Sequence, residues 1–223
     1  MGGGGGVTVL ITVAHGTRHA PGNAVAAEIT VRAGSLLGLP AVASYVELCE
    51  PSFVSVMAGL DGPAVVVPML LSTGFHVRVD LPAAVAGASA SVSLGPPLGP
   101  DPLLAAAQVA RMVESGAHAG QPLVMVAAGS SEPDALTDLE RAAAHLAEAW
   151  GGPVRLATLS GRGARPADVV RAGDAVSPYL LAPGFFADRV RSESLAVAPV
   201  VVAGVIGGHR AVVELVATRA AAL

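Results

Sequence analysis

The chain has 223 residues, is 52% hydrophobic but only 3% aromatic, and carries a formal net charge of −4. This length supports a sizeable core of Ala, Val and Leu, in one large or two smaller domains. All 13 basic residues are arginine, which excludes Schiff-base lysine chemistry and a P-loop lysine; without a basic run or aromatic platform there is no footprint for nucleic acid.

Met1 and the five glycines after it lack the basic segment of a signal peptide, and Gly6 stands where a myristoylation site needs Ser or Thr. No apolar segment reaches membrane-spanning length without interruption, so no membrane partner is expected. Cys49 is the only cysteine, so intramolecular disulfides and thiolate metal clusters are impossible and a cytoplasmic setting is expected.

Residues 7–14 form a continuous apolar, β-branched run, which predicts a strand buried on both faces as in a parallel sheet. His15 stands at its carboxyl end, followed by Gly16, Thr17 and Arg18. In open α/β sheets ligands bind outside such ends. Pro21-Gly22-Asn23 reads as punctuation before a helix over 24–37, in which Glu28 and Arg32 are four apart. A second strand over 41–48 finishes at Glu47, and Pro51 starts a short helix. A third strand over 64–71 contains Pro68, which marks a bulge or strand end. After Ser72-Thr73-Gly74-Phe75-His76, a helix opening within 77–80 runs to Ala86. A fourth strand covers 89–94, and Asp101 is placed to cap a helix over 102–115.

The pattern then restarts. Strands are expected at 122–128, 153–159, 177–183 and 199–205, with helices at 133–149, from 166, at 187–195 and at 208–221. An internal repeat of about 115 residues is apparent from alternating strands and helices. It matches Val66-Val67-Pro68-Met69 with Leu181-Ala182-Pro183-Gly184, and His15 with Gly129. The expected fold is α/β: two similar lobes, each a parallel four-stranded sheet flanked by helices, with a cleft between them as the ligand site. Their bounds are 1–117, carrying the chemistry, and 118–223, a degenerate repeat.

The chemistry is unevenly shared. His15, Glu47 and His76 fall at strand ends of the first half, and the second half has no counterpart at Gly129, in the stretch LATLSGRG or near Ala187-Asp188-Arg189. One site in the first lobe follows, and Gly129→His is expected to leave activity intact. Two imidazoles and a carboxylate suit Fe, Co, Ni, Cu or Zn, and equally serve as proton acceptors. His19, His118 and His145 read as surface residues, His209 as a capping or surface residue, and Cys49 as a small buried one.

At these residues the sequence resembles the class II sirohydrochlorin chelatases of the two-lobed bacterial type. The resemblance covers nearly the whole chain. It is carried by His15-Gly16-Thr17-Arg18, by Glu47-Leu48-Cys49-Glu50-Pro51-Ser52, and by the run from Val67-Pro68-Met69 through His76-Val77-Arg78-Val79-Asp80-Leu81-Pro82. Gly207-Gly208-His209-Arg210 adds a weaker match. Thr17 stands where the family commonly has serine, and keeps the hydroxyl.

The resemblance implies insertion of a divalent metal, Fe(II) in preference or Co(II), into sirohydrochlorin without ATP, on the way to siroheme or cobalamin. No permanently bound cofactor is implied. On this reading His15 and His76 hold the metal and accept pyrrole N–H protons, and Glu47 balances charge or relays protons. The substrate's eight carboxylates call for arginine; Arg18, Arg78, Arg189 and Arg210 are candidates, with Thr17 beside them. Having both lobes in one chain, the protein is expected to be a monomer. A non-catalytic tetrapyrrole or metal carrier is the rival reading. A histidine phosphatase would need arginine where Ala14 stands.

Overall fold

The computed structural model describes residues 7–223; Met1 and the glycines through Gly6, on which the expectations about a leader and a lipid anchor rest, lie outside the described residues. The chain forms two compact units. The first takes the chain up to Leu70, Phe75–Leu98 and Val213–Leu223, and the second takes Leu71–Gly74 and Gly99–Val212.

In the first unit β1 (Val9–Ala14), β2 (Ala41–Tyr45), β3 (Ala64–Pro68) and β4 (Val92–Leu94) form one parallel sheet in the order β2-β1-β3-β4. Alternation along β1 sends Ile11 and Val13 to one face, where they join Phe53, Met57, Val66 and Leu81 in a buried cluster. Full burial of such side chains contributes about 1.5–3 kcal/mol each. Phe53 and Met57 come from α2 (Phe53–Ala58), and Leu81 opens α3 (Leu81–Ala86). The opposite face meets α1 (Ala20–Leu37). There the buried Thr12 hydroxyl bonds Thr30 at 2.5 Å, and Thr30 donates to Ala26 O. The first helix therefore begins four residues earlier than the punctuation suggested. Pro21 lies in its first turn, where the missing N–H costs nothing, and Gly38 ends it at φ 65°.

The second unit repeats the plan. β5 (Leu123–Ala127), β6 (Val154–Thr158), β7 (Ala175–Tyr179) and β8 (Val201–Val202) pair in parallel in the order β6-β5-β7-β8. The helices after Asp101 are α4 (Pro102–Glu114), α5 (Pro133–Trp150), α6 (Pro166–Val169), α7 (Phe185–Val197) and α8 (Arg210–Ala221). Asp101 accepts from Leu103 N at 2.9 Å, the cap expected from sequence. Leu71–Gly74, counted with this unit, is held by Tyr179 Oη donating to Leu71 O at 3.1 Å and by Thr73 N donating to Asp138 at 2.8 Å. Burial, and then the nearby carboxylates Asp138 and Asp101, push the Tyr179 hydroxyl far above its ordinary range, so it stays a donor. None of the helices among the described residues is long and apolar enough to cross a membrane.

Strand pairing corrects the repeat alignment. Ala14 pairs Tyr45 as Ala127 pairs Thr158, and Val13 pairs Pro68 as Val126 pairs Pro178. The numbers thus differ by 113 at Ala14 and Ala127 but by 110 at Pro68 and Pro178. Pro178, not Pro183, is the counterpart of Pro68, so the strand expected over 177–183 lies at Ala175–Tyr179. His15 matches Ala128, not Gly129. Gly129 is the partner of Gly16: their φ angles are 87° and 90°, and a Cβ at either would lie 2.1 or 1.9 Å from the carbonyl of Ser160 or Glu47. A side chain at Gly129 is therefore strained and pushes a backbone carbonyl aside, and the premise behind Gly129→His, that this position is the counterpart of His15, does not hold.

Candidate metal centre

In the order β2-β1-β3-β4, the chain leaves β1 toward one neighbour and returns to the other, so the carboxyl edge between β1 and β3 is a topological switch point. Three side chains meet at that edge. His15 follows β1 directly, Glu47 lies two residues past β2, and His76 begins a π-helical turn (His76–Asp80) after β3. All three belong to the first unit.

His15 Nε2 is 3.5 Å from Glu47 Oε1, and the two imidazole rings stand edge to face with centroids 5.2 Å apart. One donor atom from each of the three residues lies within 4.8 Å of the others. Donors sharing one ion at bonds near 2.1 Å are about 3.4 Å apart in a tetrahedron and about 4.2 Å across an octahedron, so only slight closure is needed. Half of the His15 and Glu47 side chains and a third of His76 face solvent. Three protein donors with an open face match a site that takes and releases an ion, rather than a closed structural one. Imidazole with one carboxylate suits Fe(II) and Co(II) among others.

The candidate ligands are held from behind. His76 Nδ1 lies 2.7 Å from Asp80 Oδ2, one helical step away. An ionised carboxylate only accepts, so Nδ1–H donates and the Nε2 lone pair is left for a ligand. His15 Nδ1–H donates to Gly16 O at 3.3 Å, which likewise leaves Nε2 toward Glu47. Sequence reasoning passed over Asp80 as a functional residue, although its spacing from His76 on a helical segment was a usable signal. It also passed over Asn23, read as punctuation. Asn23 accepts from Thr17 N at 3.0 Å and donates to Thr17 O at 2.7 Å, clamping the turn that follows His15. Tyr45 Oη donates to Asn23 O at 3.1 Å, and burial, with Cys49 as the lesser cause, raises the Tyr45 hydroxyl above its ordinary range.

The other expected residues are more dispersed. Thr17 Oγ1 accepts from His19 N, Arg18 is exposed beside His15, and Arg78 is exposed on the π-helical turn. Arg189 lies in α7, in the second unit, paired with Glu193 at 2.7 Å and bonded to Leu159 O, with its guanidinium over Phe185. Arg210 starts α8, where His209 Nδ1 accepts from Ala211 N in the capping role anticipated for it. Among the described residues, His15, Glu47 and His76 form the one group of three or more His, Cys, Asp or Glu side chains arranged to hold a metal. In the second repeat the matching positions are Ala128, Ser160 and Phe186, and Gly184-Phe185 matches Gly74-Phe75.

A parallel α/β unit present twice, with a two-histidine, one-carboxylate set at the sheet edge of one copy, defines a two-repeat metal-handling protein. The model of the CbiX family matches twice, over residues 9–115 and 122–223, and the chain belongs to that family. Among solved structures it is similar to SirB from Bacillus subtilis with Fe3+, at 27% identity and a TM-score of 0.79 over 96% of this chain and 94% of that one. The sirohydrochlorin chelatase SirB from Bacillus subtilis subspecies spizizenii, in complex with cobalt, matches at 22% identity and 0.73 over 96% and 94%. CbiX, described as the terminal enzyme for siroheme biosynthesis in denitrifying bacteria, matches at 18% and 0.73 over 96% and 98%. These last two likenesses show the shared fold. No curated protein matches the sequence significantly.

Proposed function

We propose that this chain is a sirohydrochlorin chelatase, a lyase that inserts a divalent metal, Fe(II) in preference or Co(II), into sirohydrochlorin without ATP, in siroheme or cobalamin biosynthesis. The observation that carries this reading is the meeting of His15, Glu47 and His76 at one sheet edge in a member of the CbiX family. The metal is substrate, and no resident cofactor enters the reaction.

Two pyrrole N–H protons must leave as the dication enters. With Nδ1–H of His76 donating to Asp80, its single Nε2 lone pair first holds the ion and, once the ion has passed to the macrocycle, accepts a pyrrole proton. His15 Nε2 plays the same part beside Glu47, whose carboxylate stabilises the approaching dication and takes up a released proton. The macrocycle must bend to expose its nitrogen lone pairs, and binding its side-chain carboxylates elsewhere on the protein supplies that strain energy. The division of labour follows the repeat: 1–117 carries the ligands and 118–223 is the degenerate copy. We read the enzyme as a monomer, because one chain supplies the whole ligand set, and as cytoplasmic, the setting that suits a lone thiol at Cys49.

The test is anaerobic incubation of the protein with sirohydrochlorin and excess Fe(II) or Co(II), followed by absorbance. Many turnovers per chain are expected. A spectral change that stops at one equivalent of protein identifies a carrier and overturns the reading.

A further inference from the structure

The loop after β6 is the counterpart of the loop after β2, and its charge is reversed. Tyr45 N donates to Pro51 O as Thr158 N donates to Ala164 O, so Glu47-Leu48-Cys49-Glu50 corresponds to Ser160-Gly161-Arg162-Gly163. Leu48 and Gly161 share φ 64°. Where the loop of the first repeat carries Glu47, in the candidate metal group, and Glu50, which accepts from Ser52 N, that of the second carries a guanidinium.

That guanidinium is fixed in place. Arg162 N donates to Ser130 O at 2.9 Å, Arg162 O accepts from Thr158 Oγ1 at 2.7 Å, and Arg162 Nε donates to Ser131 O at 2.9 Å. Arg165 secures the loop from below, through Thr158 O and Gly161 O. The Arg162 side chain is exposed and forms no ion pair among the described residues, and its two terminal amino groups are unused. A guanidinium held by its Nε, with both terminal groups presented side by side, is a preorganised fork for a carboxylate.

We propose that Arg162 binds a side-chain carboxylate of the tetrapyrrole and so helps set the enzyme's demand for a polycarboxylated substrate. The proposal rests on the chelatase reading and extends it to the second repeat. Binding of metal-free sirohydrochlorin is measured by titration for the wild type, Arg162→Ala and Arg162→Lys. Uroporphyrin III, which bears the same acetate and propionate groups, serves as a second probe, and Co(II) binding is measured separately.

Arg162→Ala is expected to weaken binding of both tetrapyrroles about tenfold, the scale of a charge-assisted bidentate pair. KM rises with it and kcat falls by a smaller factor, because carboxylate binding also supplies the energy that bends the ring, while Co(II) affinity stays within twofold of wild type. Arg162→Lys recovers part of the loss, since it keeps the charge and loses the fork. Tetrapyrrole affinity within twofold of wild type in Arg162→Ala overturns the proposal. Arg162-dependent uroporphyrin binding without metal insertion into sirohydrochlorin upholds the carboxylate site and overturns the chelatase reading. Wild-type protein that binds neither tetrapyrrole overturns both.

Discussion

The two repeats keep the same frame and differ in what they mount on it. Strand order, pairing register and the hydrogen bonds that turn the chain after each first and second strand recur. Among the positions that recur as residues are two pairs with backbone demands: Gly16 and Gly129 at positive φ, Pro68 and Pro178 at the third strand. The three side chains that meet at the sheet edge of the first repeat do not recur in the second. His15, Glu47 and His76 stand against Ala128, Ser160 and Phe186, so among the described residues the first copy carries a group arranged to hold a metal and the second does not.

The comparison is broken most severely at its shared turn. Gly16→Ala places a methyl group 1.9 Å from Glu47 O at φ 90°, and Gly129→Ala places one 2.1 Å from Ser160 O at φ 87°. Each is expected to cost about 3 kcal/mol, from left-handed strain and the shift of a backbone carbonyl. Denaturant midpoints measure this. The consequences should then part: where both variants remain folded, Gly16→Ala loses Co(II) affinity because the carbonyl it pushes belongs to Glu47, and Gly129→Ala retains it. Equal Co(II) affinity in the two would mean that the turn does not position the site.

Removing ligands comes next. His15→Ala and His76→Ala are each expected to lower turnover at least tenfold, about 1.4 kcal/mol of barrier, with Co(II) binding weakened in parallel. Ala128→His, the true counterpart of His15, should leave both quantities unchanged, since Ser160 and Phe186 offer it no partners. Unchanged turnover in either histidine variant would remove that residue from the site.

A smaller loss is expected at Asp80, which bonds Nδ1 of His76 and leaves Nε2 for the proposed ligation. Asp80→Ala frees the ring to rotate and to adopt the wrong tautomer, and should weaken Co(II) binding about tenfold with little change in the denaturant midpoint. Asp80→Asn can still accept from Nδ1–H and should recover part of the affinity. A loss of stability equal to the loss of affinity would assign Asp80 to folding instead.

Much of this arrangement was legible before any coordinates, and the misses have physical causes. Each half follows the expected strand–helix order, because parallel strands buried on both faces read as apolar runs such as Val9–Ala14. The repeat offset was misjudged because two prolines, Pro178 and Pro183, stand five residues apart in the same apolar-rich stretch, and only strand pairing tells which one sits in the ladder. The three candidate ligands were legible as strand-end residues, but their meeting was not, since residues so distant in sequence are joined only by the sheet order. Arg189 lies in the helix expected over 187–195, engaged with Glu193.

The smallest effect concerns Leu48, the one non-glycine residue at positive φ among the described residues, and half-exposed. A left-handed conformation costs an ordinary side chain about 1–2 kcal/mol, and the second repeat avoids that cost with Gly161 at the same φ. Leu48→Gly relieves the strain but also enlarges the freedom of the unfolded chain, and the two effects oppose each other. A net stabilisation of about 0.5–1 kcal/mol is expected, read as a higher denaturant midpoint. The strain sits directly after Glu47, whose carboxylate lies 3.5 Å from His15 Nε2, and its expected effect is to restrict how far that carboxylate swings. If that restriction matters, Leu48→Gly is more stable and yet binds Co(II) less tightly. If stability and affinity rise together, the strained leucine is a relic of the loop and not part of how the first repeat holds its ion.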